Sequence, residues 1–284
     1  MKKLACSIAL LAVTFTSGLA LGQVTAGATE VEVEAPVNLT GNMRDGAVQD
    51  TTELSLQAGA LAAGGNARTA AGTGATRFFK RMGAHEITNQ NALNYARTGT
   101  PEGGLMETTV ENYQARLRYE YFFSNNVAAF LSTQARRDRF QGLNLRLGVD
   151  PGLAYYFIRN LSSRFWLEGG YDFQFEDRSQ DTVDLAAAAG TPIDKTEVDH
   201  NIRVYSGYDQ KLDDRLHLFA GLEYFKSFTQ NNAWRLNWET TLNVKLMQKF
   251  SLAIGSMALY NNDPLPGIRK FDVTSSLSFV YTLM

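Results

Sequence analysis

The stretch from Trp234 to Leu246 reads WRLNWETTLNVKL. Its even positions are Trp234, Leu236, Trp238, Thr240, Leu242, Val244 and Leu246, and its odd positions are Arg235, Asn237, Glu239, Thr241, Asn243 and Lys245. A β-strand sends alternate side chains to opposite faces, so one face here is almost wholly apolar and the other carries three charges. At about 3.3 Å per residue the stretch reaches roughly 43 Å, beyond the usual soluble strand. A tilted strand needs only about 9–11 residues to cross a bilayer. One such strand fits either a membrane barrel wall or a large half-buried sheet, so recurrence decides between them.

The pattern recurs. Leu54, Leu56, Ala58, Ala60 and Ala62 alternate with Glu53, Ser55, Gln57 and Gly59. Two weaker strands of smaller residues are expected over 68–80 and 85–95. From Glu111 the signal is strong: Tyr113, Ala115, Leu117, Tyr119 and Tyr121 oppose Gln114, Arg116, Arg118 and Glu120. The next strand continues it, with Val127, Ala129, Leu131, Thr133 and Ala135 opposing Ser132, Gln134 and Arg136. Leu143, Leu145, Leu147, Val149, Leu153, Tyr155 and Phe157 then oppose Asn144, Arg146 and Asp150, with a bulge expected at Pro151, which has no N–H for the ladder. Further faces run through Phe165–Phe175, Ile202–Tyr208, Leu216–Tyr224, Phe250–Tyr260 and Val273–Leu283.

These make about 12 strands, an even number, as a closed antiparallel transmembrane barrel with both ends on one side requires. Every second connection is tight, near 82–84, 124–126, 160–163, 212–214 and 247–249. The long ones, 98–105, 178–195 and 262–269, all fall on the opposite side. Short periplasmic turns and longer extracellular loops are the outer-membrane arrangement. Outward aromatics form two rows, with Phe123, Phe157, Phe165 and Phe250 beside the short turns and Phe175, Tyr224, Trp234 and Tyr260 beside the long loops. Those rows match the two interfacial girdles.

The first residues, a basic start and an apolar run ending Ala20-Leu21-Gly22, read as a secretory signal peptide cut after Gly22. Residues 23–50 are expected to be a flexible lead-in and 51–284 the barrel. Cys6 is the only cysteine, so the exported chain would hold no disulfide. A net charge of −2 and a pI near 6.0 give no basic footprint for nucleic acid. Mean hydropathy is −0.22, and no later apolar run is long enough for a transmembrane helix.

The loop YNNDPLPGIRKFD (Tyr260–Asp272), followed by VTSSLSFVY, resembles the domain-of-unknown-function 481 family of outer-membrane proteins, one of which is described as salt-stress-induced. The resemblance spans about residues 50–284 and is most specific from about 215. It implies an outer-membrane barrel and no mechanism. Lipid, lipopolysaccharide and the barrel-assembly machinery are the partners expected of such a barrel, and small solutes are expected if the lumen is open.

Catalysis finds little support: His85, His200 and His217 have no serine motif beside them, and there is no GxSxG. No cofactor is expected. Glu176, Asp177, Asp181 and Asp184 lack the glycine and terminal glutamate of a calcium loop and read as a solvated acidic segment. The lumen is the informative site. Charged inward positions are Arg116, Arg118, Glu120, Arg146, Asp150, Glu168, Asp172, Arg203, Glu223, Arg235, Glu239 and Lys245. Twelve strands at 4.8 Å spacing, tilted by some 40°, give a backbone radius of roughly 12 Å. Long Arg and Glu side chains take up most of it. Two readings therefore stand, a wall plugged by ion pairs and a narrow water-filled pore. Arg235 is expected to pair with Glu223 on the preceding strand. The small inward residues Ser251, Ala253, Gly255 and Met257 on the following strand are expected to leave a wet path.

Overall fold

The computed structural model describes residues 50–63, 68–99, 105–160, 162–230, 233–263 and 270–283. The signal peptide and, but for Asp50, the lead-in lie outside the described residues. Twelve strands follow in order: β1 (Thr51–Ala63), β2 (Arg68–Met82), β3 (His85–Gly99), β4 (Glu107–Phe122), β5 (Val127–Asp138), β6 (Leu143–Arg159), β7 (Ser163–Arg178), β8 (Thr196–Lys211), β9 (Leu216–Ser227), β10 (Trp234–Lys245), β11 (Phe250–Asn261) and β12 (Phe271–Thr282). Each pairs antiparallel with its sequence neighbours, and β1 closes on β12 from Ser55↔Thr282 to Ala58↔Phe279. The result is a closed 12-stranded barrel.

Burial is inverted relative to a soluble domain. Outward Leu117, Leu153 and Leu277 are 49%, 60% and 61% exposed, while inward Arg203 and Asp172 are 2% and 0% exposed. In water a fold hides apolar side chains and leaves arginine out. A continuous apolar exterior around a charged interior is what a hydrocarbon environment selects. The aromatics close the band at both ends. Tyr155–Phe157, Phe157–Phe165 and Phe250–Tyr281 rings meet within 4.8–5.5 Å near the short turns. Tyr224, Trp234 and Tyr260 meet ring against ring in sequence, at 6.0 and 4.9 Å, near the long loops.

The central strand takes the faces its alternation dictates. Leu242 lies between Leu218 and Ile254, both outward, and Asn243 between His217 and Ala253, both inward. Leu242→Arg is therefore expected to cost about 2–4 kcal/mol in urea unfolding from lipid vesicles, as for arginine near the midplane of a barrel. Asn243→Arg should cost clearly less. Equal costs would contradict the face assignment.

Three features differ from the sequence expectations. Pro151 makes no bulge: pairing with β7 lapses at Asp150 and Pro151 and resumes at Gly152↔Gly170 in the register of Val149↔Phe173. The irregularities fall instead at Leu143/Leu145 and Tyr156/Ile158. The first turns Leu143 inward, where it is 4% exposed, and leaves Asn144 outside, donating to Asp177 Oδ2 at 3.2 Å. The longest connection holds a helix, α1 (Gln180–Ala188), where a loop was expected. Ser179 caps it by accepting from the Thr182 amide, Asp181 sits in its first turn, and three alanines end it. The Ser179 N–H donates to Gly142 O at 2.7 Å, which fastens the helix to the β5–β6 connection.

Candidate functional site

Alternation fixes which side chains enter the lumen, and their lengths decide which meet. Arg118 on β4 reaches across β5 and β6 to Glu168 on β7, donating from Nη1 to Oε2 at 3.0 Å and from Nη2 to Oε1 at 2.9 Å. The same Nη2 donates to Glu120 Oε1 at 2.9 Å. From the other side Arg203 donates to Glu168 Oε2 at 2.8 Å through Nη1 and to Glu223 Oε1 at 2.7 Å through Nε. Trp166 Nε1 adds a bond to Glu168 Oε1 at 2.9 Å. Glu168 thus accepts four hydrogen bonds, about the full capacity of a carboxylate. A buried ion pair is tolerable only when its remaining lone pairs are satisfied in this way.

Aromatic side chains complete the layer. The Arg118 guanidinium lies 4.0 Å from the centre of the Phe130 ring, and Phe122, Ala128, Phe130, Ala154 and Tyr156 form one buried cluster against Trp166. Toward the short turns, Arg81 and Arg159 both contact Glu86, at 3.0 and 3.4 Å, while Asp209 takes Arg164 and His217. Side chains therefore fill this half of the barrel.

Toward the long loops the lumen widens into a cup of about 800 Å3. Its β4–β7 wall carries Arg116, Arg146 and Gln174, and its β8–β10 wall carries Glu223, Asn237 and Glu239. Arg146 is held by Glu176 at 2.7 Å, and Glu176 also contacts Arg178 at 3.5 Å. Glu239 accepts from the Tyr205 hydroxyl at 3.3 Å.

Of the inward charges expected from sequence, Arg118, Glu120, Glu168, Arg203 and Glu223 join in one network, with Arg116 at its edge, 3.8 Å from Glu223. Asp150 and Asp172 lie buried beside it. Arg146, Arg235 and Glu239 line the cup, and Lys245 is exposed at the short-turn end of β10. Arg235 does not pair with Glu223. It donates to Gln174 Oε1 at 3.0 Å and lies over Phe225, because Arg203 occupies Glu223. The wet path expected beside β11 is confined to the cup: Met257 lines the cup, but deeper in, Ala253 is 5% exposed and its neighbours Thr241 and Ser278 are 2% and 1%. Sequence reading missed the inward aromatics Phe122, Phe130, Tyr156, Trp166 and Phe219. Strand parity places them inside, but an apolar residue on a polar face carries no charge to mark it.

The histidines do not converge. His85 and His200 face outward against Tyr119 and Tyr171, and His217 faces inward on Asp209.

Among solved structures, the chain is similar to the NanC porin, at 11% identity over 81% of this chain and 97% of that one, with a TM-score of 0.45. It is similar to the COG4313 outer membrane channel from Pseudomonas putida F1, at 15% identity over 86% and 98%, with a TM-score of 0.47. It is also similar to the translocator domain of the autotransporter NalP from Neisseria meningitidis, at 10% identity over 84% and 89%, with a TM-score of 0.43. Likeness at this level says nothing about what passes through or binds to this chain. No curated protein matches the sequence significantly. The family model described as "Protein of unknown function, DUF481" matches residues 56–283, and the chain belongs to that family.

Proposed function

We propose that this chain is an outer-membrane barrel protein without a catalytic role, whose own side chains hold the lumen closed beneath a cup on the long-loop side. One observation carries this: an apolar, aromatic-bounded exterior surrounds a charge layer in which Arg203 is 2% exposed and Asp172 is fully buried. Such a cross-section suits a barrel that is embedded in lipid and shut to water at rest. Its role is structural, in the envelope, and the salt-stress association implied by the family resemblance belongs to the same proposal. Export through the expected signal peptide, assembly by the barrel machinery and contact with lipopolysaccharide follow from the location. The cup favours a second reading, a gated diffusion channel for a small solute, in which the Arg118–Glu168–Arg203 layer would have to part.

Fractionation and flux test the proposal together. The protein should sediment with outer membranes and change apparent mass in SDS on heating. Vesicles carrying it should swell in small neutral sugars no faster than empty vesicles. Recovery as a soluble periplasmic protein would remove the location, and rapid swelling would remove the closed lumen.

A further inference from the structure

Four inward residues lie in one row across four strands: Ser132 on β5 opposite Asp150 on β6, and Asp172 on β7 opposite Asn201 on β8. Asp150 and Asp172 occupy matching inward positions on adjacent strands, between the pairs Val149↔Phe173 and Gly152↔Gly170. Ser132, Asp150 and Asn201 are 1% exposed and Asp172 is 0% exposed. Asn201 Nδ2 donates to Asp172 Oδ2 at 2.8 Å. Apart from the carboxyl–carboxyl contact of Asp150 with Asp172, both carboxylate oxygens of Asp150, Oδ1 of Asp172 and the Ser132 hydroxyl have no hydrogen-bond partner.

Neighbouring charges do not cancel the pair. Arg118, Arg203 and Arg116 face Glu120, Glu168 and Glu223 in the adjoining network, three cations for three anions. Arg116 is also the guanidinium nearest Asp150, and at 3.9 Å it is too far for a hydrogen bond. Two carboxylates thus have only a share of Arg116, which also faces Glu223, to offset them where solvent does not reach them, a costly arrangement. A shared proton would cancel one of the two charges and leave the Ser132 hydroxyl without a role. A divalent cation cancels both and can draw its donors from the oxygens left without partners.

We propose that Asp150, Asp172 and Ser132 form an oxygen-donor site for a divalent cation of the calcium type, set in the lumen wall at the floor of the cup. An all-oxygen set with two carboxylates suits a hard cation, and calcium accepts irregular geometry with water completing its shell. Arg116 and Asn201 line the cup and touch the two aspartates, so the site borders on solvent there. The bound ion joins β5, β6 and β7 beside the Arg118–Glu168 layer and stiffens that sector of the barrel. The site does not depend on whether the barrel conducts.

Calorimetric titration of Ca2+ into the refolded, chelator-stripped barrel at pH 7.5 tests this, with Tb3+ emission as a second readout. Wild type should bind one ion saturably. Asp150→Asn and Asp172→Asn should each weaken binding at least about 100-fold, and Ser132→Ala about 10-fold. The heat-dependent mass shift checks that each variant is folded. No Ca2+ binding by folded wild type would overturn the site and leave the pair with a shared proton. Wild-type affinity in folded Asp150→Asn would place the ion elsewhere and overturn it equally. Should neither carboxamide variant fold, Ser132→Ala decides, and unchanged affinity there counts against the site.

Discussion

Arg203→Met should destabilise the barrel by about 3–5 kcal/mol in urea unfolding from lipid, the cost of breaking a buried pair by removing one partner. Arg203 is 2% exposed and donates to both Glu168 and Glu223. Its loss leaves Glu168 with Arg118 and the indole N–H of Trp166, and Glu223 with Arg116 at 3.8 Å and the amide of Asn237. Arg235→Gln is the contrasting case. Arg235 lines the cup, its hydrogen bond goes to the neutral Gln174, and its guanidinium lies over Phe225. Its loss should cost no more than about 1–2 kcal/mol, the sum of one ordinary hydrogen bond and one cation–π contact. Equal effects of the two substitutions would mean that the buried layer is not what holds the lumen together.

Thiol labelling should separate the two halves of the lumen by a comparably large factor. The only cysteine is Cys6, so a refolded chain beginning at Gln23 carries no background thiol. Gln114→Cys places a thiol in the cup, and Ala128→Cys places one below it, in the cluster with Phe122, Phe130 and Tyr156, where Ala128 is 0% exposed. A bulky, charged maleimide should react with Gln114→Cys nearly as fast as with an unfolded control. It should react with Ala128→Cys at least about 100-fold more slowly, because reaction there requires a local opening costing on the order of 3 kcal/mol. Similar rates at the two sites would contradict the packed floor.

Most of the wall was legible because the side-chain period of a strand is two and one face had to be apolar. That single constraint places Leu242, Leu222 and Phe173 outside and Arg118, Glu168 and Glu239 inside. It holds even in β2 and β3, where Ala75, Ala92 and Ala96 give little contrast, although those strands run further than their small residues suggested. What period two cannot specify is who meets whom across the lumen. Arg118 and Glu168 are 50 residues apart, and Arg235 and Gln174 are 61 apart. Their contacts depend on side-chain reach across a curved wall and on which partner is already taken. Bulges escape for a different reason: the one at Leu143/Leu145 reverses the parity of Leu143 without any glycine or proline between those two residues to mark it. The helix α1 was hidden by its acidic start, which reads equally as solvated loop until Ser179 is seen capping it.

The most direct measurement is the single-molecule conductance of the refolded wild-type barrel in a planar bilayer at moderate voltage. With Arg118, Glu168 and Arg203 in place and Phe130 and Tyr156 packed beside them, inserted molecules should stay closed, without a steady ohmic step. A stable open conductance in each inserted molecule, at low voltage and without substitution, would contradict a lumen closed by its own side chains.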